Sequence, residues 1–210
     1  MKLKEIFNKE NFQTDKDDHG YLELYDDIFK DSYTNKSVNF MEIGVYKGES
    51  LKLWSAYFNK SSNIIGLENF SHNKSNIGDA PPDFKNIFKQ KNIKVFNVDQ
   101  GNPDSIKKFI LEEDIKKEHF DIIVDDGSHV SDDQHITLKF LFDYVKPGGY
   151  YIIEDAHWSA CKMSKKLRKA KGTQHVPAIP LMLMCKLWNK NKKITSGLIS
   201  TEECKDIASK

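Results

Sequence analysis

This sequence of 210 residues has few cysteines, no long apolar runs and almost equal numbers of basic and acidic residues. Its cysteines, Cys161, Cys185 and Cys204, form neither a disulfide framework nor a CxxC metal pair, which favours a reducing compartment. No run is long enough to span a membrane, and the N-terminus lacks the apolar core of a signal peptide. With 32 basic against 31 acidic residues, no overall field attracts nucleic acid or an anionic membrane. We therefore expect a cytoplasmic protein without a nucleic-acid partner or a membrane span.

Short apolar runs alternate with longer amphipathic segments along the chain. The runs predict strands because they are rich in Val, Ile and Phe and apolar throughout, as in strands covered on both faces. They are Val38–Ile43, Asn63–Leu67, Asn92–Val98, Phe120–Val124 and Tyr150–Glu154. Helical spacing is found in Glu49–Asn59, Pro103–Glu113 and Ser131–Val145, and Pro147-Gly148-Gly149 predicts a turn into the fifth strand.

This alternation predicts an α/β fold, a Rossmann-like, doubly wound and mainly parallel sheet with helices on both faces. We expect a single domain over residues 1–210, with an N-terminal lid or helical segment (1–37), a core (38–158) and a divergent C-terminal segment (159–210). In such sheets, ligands bind beyond the carboxyl ends of the strands. The residues that follow the apolar runs are therefore the candidates for a functional site.

Glycines follow the first predicted strand, in the run Glu42-Ile43-Gly44-Val45-Tyr46-Lys47-Gly48-Glu49-Ser50. Gly44 and Gly48 allow the backbone to turn sharply and approach a ligand, and the next helix presents free N–H groups to an anion. The dinucleotide fingerprint GxGxxG is absent, which counts against a nicotinamide cofactor. A turn that only packs the helix on the strand is the alternative.

Acidic residues end the second and third predicted strands. Glu68 can accept hydrogen bonds from both hydroxyls of a ribose, or it is a solvated loop carboxylate. Asp99, followed by Gln100, can accept from an adenine amine, or it caps the helix that begins near Pro103. Suitable groups at three successive strand ends are more specific than any one of them.

The fourth and fifth predicted strands end in Asp125-Asp126-Gly127-Ser128-His129 and Glu154-Asp155. Four carboxylates at neighbouring strand ends would repel one another strongly, and a divalent cation between them would relieve this repulsion. Oxygen ligands favour Mg²⁺, with Mn²⁺ or Ca²⁺ as alternatives. An imidazole such as that of His129 is the usual side chain for removing a proton at neutral pH.

The segments DDGSH and KPGGYYIIED-H resemble the macrocin and mycinamicin sugar O-methyltransferases, rhamnosyl O-methyltransferase and cephalosporin-hydroxylase-type proteins. Thr14-Asp15-Lys16, with His19 and Tyr21, resembles the TDK-x-x-H-x-Y segment that lies over the cofactor site of that family. The resemblance covers roughly residues 12 to 158 and implies a class I methyltransferase dependent on S-adenosylmethionine (SAM). It implies Mg²⁺ or Mn²⁺ held by Asp126, Glu154 and Asp155, with His129 as the base. The implied cofactor-binding residues are Thr14, Lys16, Glu42, Gly44, Gly48, Ser50, Glu68, Asp99, Gln100 and Asp125.

Some of these expectations carry alternatives. Asp125 lies against the adenosine or merely caps a turn. Class I methyltransferases end in an antiparallel strand pair, which is divergent or missing from residues 159–210 here. The basic stretch Lys162–Lys171 in that segment is solvated surface, or it belongs to a lid that meets an anionic acceptor.

The expected reaction is O-methylation of a sugar or glycan-like small molecule, in a protein that forms a homo-oligomer or acts alone. An inactive SAM-fold binding protein and, more remotely, a nicotinamide-dependent oxidoreductase are the competing hypotheses.

Overall fold

A computed structural model describes residues 1–29, 33, 36–70 and 91–156 of the chain. Within them, a helix follows the first, third and fourth strands, and the connection between the second and third strands lies outside the described residues. The helices are α1 (Leu3–Glu10), α2 (Tyr21–Phe29), α3 (Glu49–Tyr57), α4 (Pro103–Glu112) and α5 (Ser131–Leu141). The strands are β1 (Asn39–Ile43), β2 (Asn63–Glu68), β3 (Ile93–Asn97), β4 (Phe120–Asp125) and β5 (Val145–Ile153).

The strands form one parallel sheet in the order β3-β2-β1-β4-β5. The chain winds outward from β1 to β3 and then returns to place β4 on the other side of β1. Ile43 at the end of β1 pairs with Leu67 on one side and Asp125 on the other, so these strands end level with one another. The β1–β4 boundary is the reversal point at which doubly wound sheets bind ligands.

Helices cover both faces of the sheet, and side chains alternate between the two faces along each strand. Phe40 of β1 packs with Trp54 of α3 in the core cluster that also contains α1 and α2. The next residue, Met41, packs on the opposite face with Ile106 and Phe109 of α4. Two cores on one parallel sheet confirm the predicted doubly wound fold.

Two predicted boundaries are wrong. The helix expected over Ser131–Val145 ends at Leu141 and is followed by a 3₁₀ turn, Phe142–Tyr144. Pro147-Gly148-Gly149, expected as a turn before the fifth strand, lies inside β5. Pairing of β5 with β4 shifts register between Phe120 and Ile122, and this irregularity accommodates the proline and glycines within a strand.

Several expectations fall outside the described residues. They include the fate of the C-terminal strand pair, the basic stretch Lys162–Lys171 and the whole of residues 159–210. None of the helices that the structure describes combines the length and apolar character of a membrane span.

Candidate functional site

The loops after β1 and β4 touch at Gly44. Its φ is +89°, and a Cβ atom there would lie 2.2 Å from the backbone oxygen of Asp126. The backbone N–H of Asp126 in turn donates to the carbonyl of Ile43 at 2.9 Å. Only glycine fits both this backbone angle and this approach, so Gly44 brings the two loops together.

Glu68, at the end of β2, holds the β1–α3 loop. Its Oε2 accepts the backbone N–H groups of Val45 at 2.8 Å and Tyr46 at 2.9 Å. Tyr46 has a left-handed backbone with φ +48°, a conformation that costs a non-glycine residue about 1–2 kcal/mol. Glu68 therefore supports a strained loop in addition to the ribose role predicted for it.

Two clefts open at these strand ends. One of about 250 Å³ contains four of the predicted cofactor residues, Gly44, Glu68, Asp99 and Gln100. The other, of about 210 Å³, contains Thr14, Gly44 and Ser50. Both are lined by Gly44 and Asp126, so the loops after β1 and β4 form their common wall.

Gln100 and Asp125 form the floor beneath the larger cleft. Gln100 Oε1 accepts the N–H of Ser128 at 2.7 Å, and its Nε2 donates to Asp125 Oδ1 at 3.3 Å. Asp125 is fully buried, also accepts the Thr137 hydroxyl, and lines neither cleft. Burial raises the pKa of Asp125 to about 6. This position favours the structural alternative for Asp125 over a direct cofactor contact.

Lys16 is buried among carboxylates rather than in a cleft. Its side chain is 1% exposed, and its ammonium lies 2.7 Å from Asp126 Oδ2, 2.7 Å from Glu154 Oε1 and 3.4 Å from Glu42 Oε1. Burial alone would lower the pKa of Lys16, but these three carboxylates raise it above its ordinary value. Lys16 thus neutralises part of the acidic cluster, a role that its predicted place over the cofactor did not include.

Glu42 belongs to the same buried network. Its carboxylate accepts the Ser50 hydroxyl at 2.6 Å and the Trp54 indole N–H at 3.2 Å. Burial raises the pKa of Glu42 despite the nearby Lys16 ammonium. Gly48 caps α3 with φ +77° and, like Glu42, lines neither of the two clefts.

Asp126, His129 and Asp155 each bring one ligand atom within 4.8 Å of the others. His129 Nε2 lies 4.0 Å from Asp155 Oδ2. Both residues have left-handed backbones, with φ of +53° at His129 and +50° at Asp155. His129 Nδ1 is buried and lacks a hydrogen-bond partner among the described residues. Carboxylate oxygens are the ligands that Mg²⁺ prefers, so Asp126 and Asp155 could hold a divalent cation beside the imidazole of His129.

Glu154, predicted as the third acid of the metal site, is not part of this three-residue cluster. Its side chain is 2% exposed and accepts hydrogen bonds from Lys16 and from the Tyr25 hydroxyl. Burial raises the pKa of Glu154 to about 7, although Lys16 acts in the opposite direction. The two neighbouring acids therefore face different surroundings, and metal binding by Glu154 stays a prediction.

Two hydroxyl groups of α2 meet the acids: Tyr21 was expected only in the segment over the cofactor site, and Tyr25 was not expected in the site at all. Tyr25 donates to Glu154, and Tyr21 donates to Asp155 Oδ1 at 2.8 Å. Burial raises the pKa of the Tyr21 phenol to about 12, so the phenol keeps its proton at neutral pH. Their spacing of four residues, which puts both side chains on one helix face, was a signal available in the sequence.

Comparison with known proteins adds to this geometry. No protein-family model matches the chain. Mycinamicin VI 2''-O-methyltransferase from Micromonospora griseorubida is 32% identical over 165 residues, which are 74% of this chain and 37% of that protein. Demethylmacrocin O-methyltransferase from Streptomyces fradiae is 30% identical over 149 residues, 68% of this chain and 33% of that protein. Over these residues the chain is similar to sugar O-methyltransferases.

A solved structure supports the same relationship. MycE methyltransferase, from the mycinamycin pathway and in complex with Mg, SAH (S-adenosylhomocysteine) and mycinamycin VI, superimposes with a TM-score of 0.64. The match is 27% identical and covers 90% of this chain and 48% of that one. These results confirm the class I methyltransferase fold and the family resemblance. The chain spans between about a third and a half of the length of the relatives it matches.

Proposed function

We propose that this chain is a SAM-dependent and Mg²⁺-dependent O-methyltransferase that methylates a hydroxyl of a sugar carried by a small molecule. The observation that carries the proposal is the cluster of Asp126, His129 and Asp155 within 4.8 Å. This cluster adjoins both strand-end clefts through Asp126. Homology to enzymes that methylate sugar hydroxyls supports the class of acceptor.

The two clefts would together hold SAM. Glu68 and Asp99 line the larger cleft, where their carboxylates can accept from ribose hydroxyls and from the adenine amine. Thr14 and Ser50 line the smaller cleft beside the start of α3, whose free N–H groups suit a carboxylate such as that of methionine. Gly44, common to both clefts, permits the backbone to approach the cofactor between them.

Asp126 and Asp155 would hold the cation, with Glu154 as the third acid that the family resemblance implies. Bound SAM supplies the methyl group, and bound Mg²⁺ supplies the positive charge that lowers the pKa of the acceptor hydroxyl. His129 would receive the proton that this hydroxyl loses; its Nε2 lies 4.0 Å from Asp155 Oδ2, beside the acids that would hold the cation.

The test combines cofactor binding with methyl transfer. We expect the chain to bind SAH in calorimetry and to transfer labelled methyl groups from SAM to at least one member of a panel of sugar-bearing small molecules. Excess EDTA should abolish transfer. His129→Ala should lower turnover by about 10² to 10⁴, the usual contribution of a positioned base.

A carboxylate control separates the site from general charge effects. Asp155→Asn should lose metal-dependent transfer while retaining SAH affinity. Asp104→Asn, which removes a carboxylate that is 89% exposed, should change neither. Full transfer in excess EDTA would remove the metal from the mechanism, and absence of SAH binding would overturn the proposed function itself.

Three finer statements rest on the sequence and remain proposals. They are a cytoplasmic location, assembly into a homo-oligomer, and an acceptor that is a small molecule or a glycan. The acceptor panel addresses the last of these, and light scattering of the purified chain addresses the second.

A further inference from the structure

Asp155 is held by a single hydroxyl group from the N-terminal part of the chain. Tyr21 Oη donates to Asp155 Oδ1 at 2.8 Å and accepts the backbone N–H of the same aspartate at 3.1 Å. Tyr21 thus contacts both the side chain and the main chain of one site residue. Asp155 needs such support because its backbone is left-handed, with φ +50°.

The same contact distinguishes the two carboxylate oxygens of Asp155. Oδ1 bonds to Tyr21, whereas Oδ2 faces His129 Nε2 at 4.0 Å. A carboxylate that rotated about its terminal bond would exchange these oxygens or turn both away from the cluster. The hydroxyl of Tyr21 opposes that rotation, so one oxygen stays directed at the cation site.

The ring of Tyr21 is itself held in place. It lies edge-on to His19 with 5.8 Å between ring centroids and is tilted against Tyr25 at 6.4 Å. Tyr25 is buried against Trp54 at 5.0 Å, which ties this aromatic group to the core. The ring of Tyr21 is therefore held by aromatic packing in addition to the two hydrogen bonds of its hydroxyl.

We propose that Tyr21 is a positioning residue that orients Asp155 for cation binding. This inference rests on the proposed function, because it assumes that Asp155 is a metal ligand. The inference gives a role in metal affinity to α2, a helix that precedes the first strand of the sheet. Groups that orient metal ligands in this way commonly change affinity by about 10- to 100-fold when they are removed.

The test is the affinity for Mg²⁺ measured by calorimetry with SAH at saturation. Tyr21→Phe keeps the aromatic packing and removes only the hydroxyl, so we expect Mg²⁺ binding to weaken by about 10-fold or more. SAH affinity should stay within about twofold of wild type, since the hydroxyl contacts no residue of the clefts. Tyr33→Phe is the matched control, because the Tyr33 hydroxyl bonds at 3.3 Å to the carbonyl of Gly148 and not to a site carboxylate.

Each outcome decides the matter. Equal Mg²⁺ affinity in wild type and Tyr21→Phe overturns the inference and leaves the proposed function standing. A wild-type chain that binds SAH but no Mg²⁺ overturns the metal site, and the role of Tyr21 with it. Stoichiometry in the SAH titration counts the folded molecules, so a partly misfolded Tyr21→Phe sample still yields its Mg²⁺ affinity. A parallel loss of SAH and Mg²⁺ binding would show a role in folding alone and would overturn the inference.

Discussion

Lys16 is the residue whose removal should disturb the site most. Its side chain is 1% exposed, and its ammonium faces the carboxylates of Glu42, Asp126 and Glu154. Lys16→Met keeps much of the side-chain volume but leaves these acids without their internal counter-charge. We expect the free energy of unfolding to fall by about 3–5 kcal/mol, the usual cost of breaking a buried ion pair on one side. Urea denaturation of the metal-free protein measures it.

Lys4→Met is the matched control for that substitution. Lys4 also bonds two acids, Asp17 at 2.8 Å and Glu23 at 2.7 Å, but its side chain is 40% exposed. Water already compensates charges at such a position, so its loss should have a much smaller effect. Equal effects of the two substitutions would contradict the role given to Lys16.

Glu68 should matter to cofactor affinity and to loop structure, and two substitutions separate these roles. Glu68→Ala removes the acceptor for the N–H groups of Val45 and Tyr46 and the carboxylate that faces the cleft. We expect SAH affinity to fall more than 10-fold, about 1.4 kcal/mol. Glu68→Gln retains a loop acceptor and should keep the stability of the fold while still weakening SAH binding. Calorimetry that finds unchanged affinity in both variants would exclude Glu68 from the site.

The residue types of the site could be predicted, whereas the direction of each side chain could not. Asp126, Glu154 and Asp155 follow apolar runs, and the residues that follow parallel strands lie at the same edge of the sheet. Which acid faces a cleft and which faces the core depends on Lys16 and Tyr25, which lie 110 or more residues away from them in the chain. The sequence around the acids therefore does not indicate which partners they contact.

The β1–α3 loop depends on the absence of a side chain at Gly44. A Cβ there would lie 2.2 Å from the backbone oxygen of Asp126, an atom that cannot move without shifting β4. We expect Gly44→Ala to destabilise the fold through both the left-handed backbone and this collision, and to abolish SAH binding. Thermal melting and SAH calorimetry report the two effects.

Gly148 provides the control, because its φ is +77° and an added Cβ would meet nothing within 4 Å. Gly148→Ala should therefore carry only the backbone cost of about 1–2 kcal/mol. The collision should make Gly44→Ala worse by a further 1–3 kcal/mol or so, as overpacking does. If the two variants have the same melting temperature, the contact between the loops after β1 and β4 is not tight.

Element boundaries were predictable where they coincide with a change in hydropathy. The fourth strand, expected at Phe120–Val124, extends to Asp125, whose backbone continues the pairing with Ile43 of β1. The start of β5 was missed because proline and glycine usually signal a turn. Val145 to Gly149 nevertheless continue into a strand that pairs with β4 on one side, where a register shift absorbs the misfit.

At the scale of the whole molecule, stability should respond to pH with contributions of both signs. Burial lowers the pKa of the His135 imidazole below its ordinary 6.5, against an opposing effect of Asp132. Unfolded His135 therefore binds a proton more readily than folded His135 does. Its contribution to stability is complete above pH 6.5 and is lost as the pH falls through the lower, folded-state pKa. We expect His135→Gln to flatten the decline in unfolding free energy on acidification.

The effect of His135 is read from the difference in unfolding free energy between wild type and His135→Gln at each pH, because other groups also titrate. His119 has a pKa lowered by burial and by Lys146, so it acts in the same direction as His135. Asp125 acts in the opposite direction: its folded pKa of about 6 lies above its ordinary value, so its protonated form favours folding and that stability is lost as pH rises through 6. Denaturant titrations at several pH values give the unfolding free energy of wild type and His135→Gln as functions of pH. Parallel curves would contradict a contribution of His135 to the pH dependence.

The opposite orientations of Glu154 and Asp155 have a consequence for how this sequence can change over generations. Glu154 is buried and bonded to Lys16 and Tyr25, so its replacement should destabilise the fold whether or not the protein is active. Asp155 has a side chain that is 12% exposed and is held by Tyr21, so under the proposed function its replacement should chiefly harm the reaction. A lineage released from selection for catalysis should therefore lose Asp155 early and retain Glu154. Reading that pair in related genomes would distinguish working enzymes from descendants that have kept only the fold.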